Sequence, residues 1–276
     1  MVGQRLLVRA CRLYQSCFRT LTTSHPQAHW QELNKTDSEQ VSRLAFENAY
    51  ARGQRLRASL YAPFLDDFQP RTVLDYGCSG GGTSLALAEF FDEVWGVDID
   101  RDRIAFGRRE IQRRDVADRV HLLEYDGYRL PFEAGSFDMI CTSDVLEHVH
   151  RPELALSEFH RVLRPGGRVF LFFLPWRHAH GKHMWGTLPG WWSHLIFPES
   201  VVMETAGHPP GTRYEDLGLF RLTVSRFTAL LAEVPFTTRH IEYRIKASLS
   251  PLLHVPVVRE LFISGVHCVL EKRAPS

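Results

Sequence analysis

The hydrophobic pattern changes period repeatedly between residues 72 and 174. Thr72–Tyr76 is a short apolar run that stops at Gly77, and its composition predicts a strand covered on both faces. Val94–Val97, Val120–Glu124, Phe137–Thr142 and Arg168–Leu174 repeat that signal. The stretches between them move to helical spacing. Leu85–Phe91, the charged segment from Asp100 to about Arg114, and the run from Pro152 with Ala155, Leu156, Phe159, Val162 and Leu163 on one face are the examples. Strands and helices in alternation predict an α/β domain. Upstream, Thr36-Asp-Ser-Glu39 has capping-box spacing and predicts a helix to about Arg52. Gly53 interrupts that helix, and a second one is expected to about Asp67, closed by Gln69-Pro70. Downstream, Thr223 caps a helix bearing Val224, Phe227, Leu230, Leu231 and Val234, and Thr237–Lys246 and Ile263–Lys272 read as closing strands.

Composition narrows the setting. At 276 residues and 44% hydrophobic content the chain suits one large domain, whereas two would be cramped. A net charge of +1 gives no bulk electrostatic footprint for nucleic acid. The five cysteines (Cys11, Cys17, Cys78, Cys141, Cys268) are scattered, odd in number and without a CxxC pair, which argues against a disulfide framework or a structural zinc. The longest apolar run, Val169–Pro175, is far shorter than a membrane span. A cytoplasmic setting is expected.

The first 31 residues stand apart, with four arginines and no acid before Glu32. The arginines (5, 9, 12, 19) fall at helical spacing, and Leu6, Leu7, Ala10, Leu13, Tyr14, Cys17 and Phe18 cover the other side. Three readings fit such a leader: an organellar transit peptide, which would place the protein in the mitochondrial matrix; a lid helix on the domain; or a contact with a membrane surface. The domain division expected is therefore a leader over 1–31 and a single domain over 32–276, with helices at 36–67 and an insertion at 175–222.

Candidate chemistry gathers where the first strand ends. Asp75-Tyr-Gly77-Cys78-Ser79-Gly80-Gly81 joins that strand to a helix through a glycine-rich turn, which lets backbone approach a nucleotide-like ligand. A carboxylate at Asp75 would do little for a pyrophosphate but would favour an ammonium or sulfonium group. Asp98 ends the second apolar run, 21 positions after Gly77, where a carboxylate meets ribose hydroxyls. These residues resemble the class I S-adenosylmethionine-dependent methyltransferases, with Ser79 where the family usually has glycine. The resemblance implies a Rossmann-like, doubly wound, seven-stranded sheet, mostly parallel with an antiparallel last strand. It also implies S-adenosyl-L-methionine as cofactor, held by Asp75, Gly77, Cys78, Ser79, Gly80, Asp98 and Ile99. Asp126 would meet the adenine, beside Gly127, and Ser143 and Asp144 would line the methyl path. For Asp126 the plain alternative is a turn-forming Asp-Gly pair. The Leu-Arg-Pro-Gly-Gly turn at 163–167 is a further point of likeness.

The acceptor is less legible. Residues 175–222 hold Trp176, Trp185, Trp191 and Trp192 with His178, His180, His183, His194 and His208. An irregular segment of this length suggests a functional loop, and the family carries substrate-specific insertions there, so an acceptor pocket is expected. His178, His180 and His183 are candidate bases, with zinc binding or an ordinary loop as competing readings. His148, in Val-Leu-Glu-His-Val, is also a candidate, although relatives with very different substrates share that stretch and a structural role fits it better. Tyr50, Tyr61 and Phe64 could touch substrate, or simply pack. No Asn-Pro-Pro-Tyr follows the fourth strand and no basic stripe exists, so DNA is not expected as partner and a small-molecule or lipid-like acceptor is favoured. A catalytically silent binding or assembly factor and a protein or RNA methyltransferase stay open, as does the oligomeric state. A NAD oxidoreductase would carry an apolar residue in place of Asp75.

Overall fold

A computed structural model describes residues 2–19, 38–56, 61–114, 116–179 and 191–273. The chain forms a seven-stranded sheet: β1 (Thr72–Tyr76), β2 (Glu93–Asp98), β3 (Val120–Glu124), β4 (Phe137–Ser143), β5 (Leu163–Phe173), β6 (Phe236–Arg244) and β7 (Gly265–Lys272). Their spatial order is β3-β2-β1-β4-β5-β7-β6. The first five strands pair in parallel, and β7 enters antiparallel between β5 and β6. The reversal of order between β1 and β4 opens a crevice at the carboxyl ends of the strands, where ligands of such sheets gather.

Alternation along each strand explains why both faces are covered. In β1, Val73 joins one apolar cluster and Leu74 the other; in β5, Phe170 points opposite to Val169 and Leu171. One layer of helix lies on each face. On the first face are α2 (Ser38–Leu56), α3 (Gly82–Leu87) and α4 (Arg101–Arg113), which bury Phe46, Leu87, Ile104 and Phe106. On the second are α5 (Pro152–Val162) and α8 (Val224–Glu233), burying Leu156, Phe159 and Phe227. Asp100 caps α4 by accepting from the backbone N–H groups of Asp102 and Arg103. Thr223 caps α8 by accepting from Arg226 N–H, as its position predicts.

Two local expectations give way to tertiary structure. Gly53 does not interrupt its helix, because α2 runs through it to Leu56. A Cβ at Gly53 would lie 2.7 Å from Ala86 Cβ, so the glycine marks a close helix crossing instead of a break. The second upstream helix reduces, among the described residues, to one 3-10 turn at Ala62–Phe64, and Thr36 and Asp37 of the capping box lie outside those residues. At 163–167 the strand is already under way at Leu163, which pairs with Phe137. The pairing then shifts, and Arg164–Gly167 stand out as a bulge before Arg168 meets Met139.

The leader forms α1 (Val2–Arg19), and the insertion supplies two short helices, α6 (Ser193–Ile196) and α7 (Glu199–Thr205). Val8 and Cys11 of α1 pack against Val201 of α7 and Phe197. A last short helix, α9 (Pro256–Phe262), precedes β7.

In the ligand-facing layer α2 lies very close on the start of α3. A Cβ at Gly82 would lie 2.2 Å from the Phe46 carbonyl oxygen and 2.9 Å from Tyr50 N. The helices would have to separate to accept it. Gly82→Ala is expected to destabilise the fold by about 1–3 kcal/mol, read as a lower urea midpoint at unchanged slope. A midpoint equal to wild type would show that α2 can shift freely.

Candidate functional site

The crevice at the β1/β4 switch point is a cavity of about 1010 Å³. Its floor is the turn after β1. Gly77 has φ +74°, and any Cβ there would meet Val145 Cγ2 at 2.4 Å, so both its conformation and the adjoining cavity wall require glycine. Ser79, in the family's glycine position, also takes a left-handed conformation (φ +54°), one that usually costs a side-chain-bearing residue about 1–2 kcal/mol. It is held by two contacts: its N–H donates to Asp98 Oδ2 at 2.7 Å, and Arg103 donates to its Oγ at 3.2 Å.

Asp98 is thereby fixed from two sides, since its Oδ1 also accepts from Asp100 N–H at 3.0 Å. Its carboxylate lies on the cavity wall with Ile99, Gly77 and Ser79. Asp126 and Gly127 line the cavity as well. Asp126 Oδ1 accepts from Tyr128 N–H and Arg129 N–H, and these bonds hold its carboxyl below the ordinary range. The turn-forming role is therefore present at a residue that also faces the cavity. Ser143, at the end of β4, faces it too, and among the described residues its buried Oγ has no hydrogen-bond partner. Asp144 beside it has φ +58° and accepts from Arg52 Nη1 at 2.5 Å. Among the described residues the buried Arg52 Nε has no partner.

Asp75, Cys78 and Gly80 stand behind this wall and do not line the cavity. Asp75 is 4% exposed, and its Oδ2 accepts from Ser84 Oγ at 2.7 Å. Burial raises its pKa to about 6, with the Ser84 bond and the Arg52 charge opposing. Its geometry therefore supports the start of α3 from beneath, off the cavity lining. Cys78 is buried, its thiol likewise pushed up by burial.

The acceptor side differs most from expectation. Within 175–222 the described residues contribute Phe220 to this cavity. The insertion builds its own small core from Val202, Met203, Tyr214 and Leu219 with Trp176 against them. His194 donates from Nε2 to the Trp176 carbonyl at 2.8 Å, and burial drops its pKa to about 4, so it stays neutral. His178 is half-buried and off the cavity wall, while His180, His183 and Trp185 lie outside the described residues. The wall is completed instead by His148, Val149, His150, Arg151 and Leu154. His148 Nδ1 bonds the Gly218 carbonyl at 2.8 Å. A carbonyl only accepts, so Nδ1 carries the proton and Nε2 is the basic nitrogen of the neutral ring. Glu147 ties the insertion down, accepting from Leu174 N–H on its side chain and from Phe220 N–H on its carbonyl.

The opposite wall is α2, through Ala45, Asn48, Ala49, Arg52 and Arg55. This set was missed by sequence reasoning, although its three- and four-residue spacing is visible in the chain. The aromatic candidates are placed elsewhere: Tyr50 bonds Glu89, and Tyr61 and Phe64 pack on Phe170. None of the three lines the cavity.

Known proteins share this stretch of the chain. The family model described as "Methyltransferase domain" matches residues 74–171, which cover the turn, Asp98, Asp126, Ser143 and His148. Over these residues the chain is similar to the class I S-adenosylmethionine-dependent methyltransferases. A ubiquinone biosynthesis O-methyltransferase of Pseudomonas paraeruginosa is 36% identical over 37% of this chain and 43% of its own. An uncharacterized methyltransferase of Mycolicibacterium paratuberculosis is 29% identical over 73% and 76%. Several curated relatives are spanned over less than half of their length, from 30% to 45%. Among solved structures, a geranyl diphosphate C-methyltransferase from Streptomyces coelicolor, in complex with geranyl diphosphate and S-adenosyl-L-homocysteine, superposes with a TM-score of 0.53. It is 16% identical over 79% of this chain and 78% of that one, which speaks to fold alone.

Asp75 gives this methyltransferase domain a pH signature. Its proton stays on in the folded protein to about pH 6, whereas an unfolded carboxyl releases it near 3.8. The folded state thus binds more protons between those values, and this group's stabilisation is complete below the lower one. It declines as pH rises and is gone above the upper one, a change of about 3 kcal/mol. Asp75→Asn keeps an acceptor for Ser84 and removes the titration. Urea unfolding from about pH 4 to 7 should show the variant gaining on wild type by up to that amount. Parallel curves would mean that Asp75 is ionised in the fold.

Proposed function

We propose that the domain transfers a methyl group from S-adenosyl-L-methionine to a hydroxyl of a small-molecule or lipid-like acceptor. The observation that carries this is the cavity itself. It brings a pre-oriented carboxylate (Asp98), two buried polar atoms without partners among the described residues (Ser143 Oγ and Arg52 Nε) and a histidine of defined tautomer (His148) onto one surface. The donor fits these groups. Asp98 would accept from the ribose hydroxyls, Asp126 and Ile99 would flank the base, and Arg52 with Ser143 would meet the amino-acid end.

Bound S-adenosyl-L-methionine supplies an electrophilic methyl on a sulfonium, open to attack in line. What the chain contributes is largely orientation. The fixed turn and Asp98 hold one reactant, and the wall from His148 to Leu154 shapes the space for the other. An oxygen acceptor also needs its proton removed, and His148 Nε2 is the basic atom on that wall. The named O-methyltransferase among the relatives supports this choice of acceptor atom.

Calorimetry with S-adenosyl-L-homocysteine tests the donor half. Asp98→Asn should weaken binding by roughly 1.5–3 kcal/mol, about ten- to a hundredfold, through loss of a charged hydrogen-bond acceptor. Wild-type affinity in this variant would remove Asp98 from the ligand.

Turnover of a phenolic or lipid hydroxyl acceptor tests the other half. His148→Gln retains a donor for the Gly218 carbonyl but has no base. It should lower kcat by about 10²–10⁴ and lose the acidic limb of the pH–rate profile, with the homocysteine-product affinity unchanged. If both kcat and the pH profile persist, His148 serves only to hold residue 218.

A further inference from the structure

The leader helix α1 is apolar on more surface than its packing uses. Three stripes run along it, each at helical spacing. Val8, Cys11 and Gln15 face inward and are 0–4% exposed, against Val201 and Phe197. Leu6, Ala10 and Leu13 face outward, and Leu6 and Leu13 are 68% and 69% exposed. Arg5, Arg9 and Arg12 form the third stripe, also exposed, between the other two. The helix has no acidic residue, and the acid that bonds it, Glu204, does so through Gln4 at 3.0 Å.

Single exposed leucines are ordinary. Here they are concentrated. Of the twelve large apolar side chains exposed among the described residues, six lie in α1 or at 191–196. The two segments touch: Tyr14 donates to the Trp191 carbonyl at 2.7 Å and packs edge-on against Phe197. Trp191, Leu195 and Ile196 are 38–54% exposed beside that junction.

We infer that α1, anchored by its Val8–Cys11 face, lays its Leu6–Leu13 stripe and flanking arginines on the surface of an anionic phospholipid bilayer. Packing alone requires only the inward stripe. A second apolar stripe bordered by arginines, on a helix free of acids, matches what interfacial helices present: an apolar wedge for the acyl boundary and cations for the headgroups. Tryptophan at the edge of such a surface suits the same boundary. A nucleic acid would use the arginines but leave the leucines without purpose, so the apolar stripe selects the membrane. The assignment does not rest on the acceptor reading, and either can fail alone.

The test is co-sedimentation of the full chain with vesicles of phosphatidylcholine, with and without phosphatidylglycerol at about one lipid in three. Binding is expected only to the anionic vesicles and should weaken as salt rises. Replacing Arg5, Arg9 and Arg12 together by Gln should weaken it about a hundredfold. The Leu6→Ser/Leu13→Ser double variant, charge unchanged, should weaken it about tenfold or more. Melting temperature and S-adenosyl-L-homocysteine affinity should hold in both variants, because the altered side chains are exposed. A wild-type chain that ignores anionic vesicles overturns the proposal, and so does a leucine variant that binds as wild type. Sedimentation equilibrium supplies a last arm. If the wild type self-associates, the leucine variant does not, and neither binds vesicles, a second copy of the chain covers the stripe and the membrane assignment is wrong.

Discussion

The site depends on how closely α2 can approach the turn after β1. Gly82 leaves no Cβ between the Phe46 carbonyl and the start of α3. That contact sets the position of Ala45, Asn48, Ala49 and Arg52 as one wall of the cavity. From the other side, the Ser79 and Asp100 N–H bonds to Asp98 lock the turn to the end of β2. The cavity is therefore bounded by backbone held on two sides, and ligand-facing groups are oriented before any ligand arrives. Preorganisation of this kind is where an orientation-driven reaction gains most.

Much of the sheet was legible because buried parallel strands write their own signal. Thr72–Tyr76 and Val120–Glu124 have the residue limits expected of them, since both end at abrupt polar or glycine positions. The position of Asp98 was legible for a related reason: it ends the second buried strand, at the carboxyl edge of the sheet where the cavity lies. Gly53 was misread because its reason is tertiary. Propensity treats a mid-helix glycine as a break, but contact with Ala86 across a helix crossing rewards the missing Cβ. The α2 wall is not legible in the sequence because small and polar residues at helical spacing carry no signal of the cavity they face.

The charges around β1 show how burial alters a role inferred from composition. A carboxylate at the strand end looks like a partner for a sulfonium while only its sequence position is known. In the fold, Asp75 is enclosed, bonded to Ser84 and raised by burial to a pKa of about 6, so its carboxyl supports the start of α3 and does not line the cavity. Arg52 shows the reverse. It is an unremarkable helix residue in the sequence, yet it reaches Asp144 across the cavity and keeps a buried Nε without a partner among the described residues.

Specificity then follows from how the insertion is attached. The insertion fills its interior with its own residues and sends Phe220 to the cavity. It acts on the site through backbone: the Gly218 carbonyl sets the His148 tautomer, and Glu147 bonds residues at both of its ends. Three contacts join the segment to the cavity wall: Gly218 to His148, Phe220 to Glu147, and Leu174 to Glu147. The same segment carries Val201 and Phe197, on which α1 rests. The leader, the insertion and the His148 wall thus form one connected unit beside the donor turn. Its inner edge keeps the His148 ring in place.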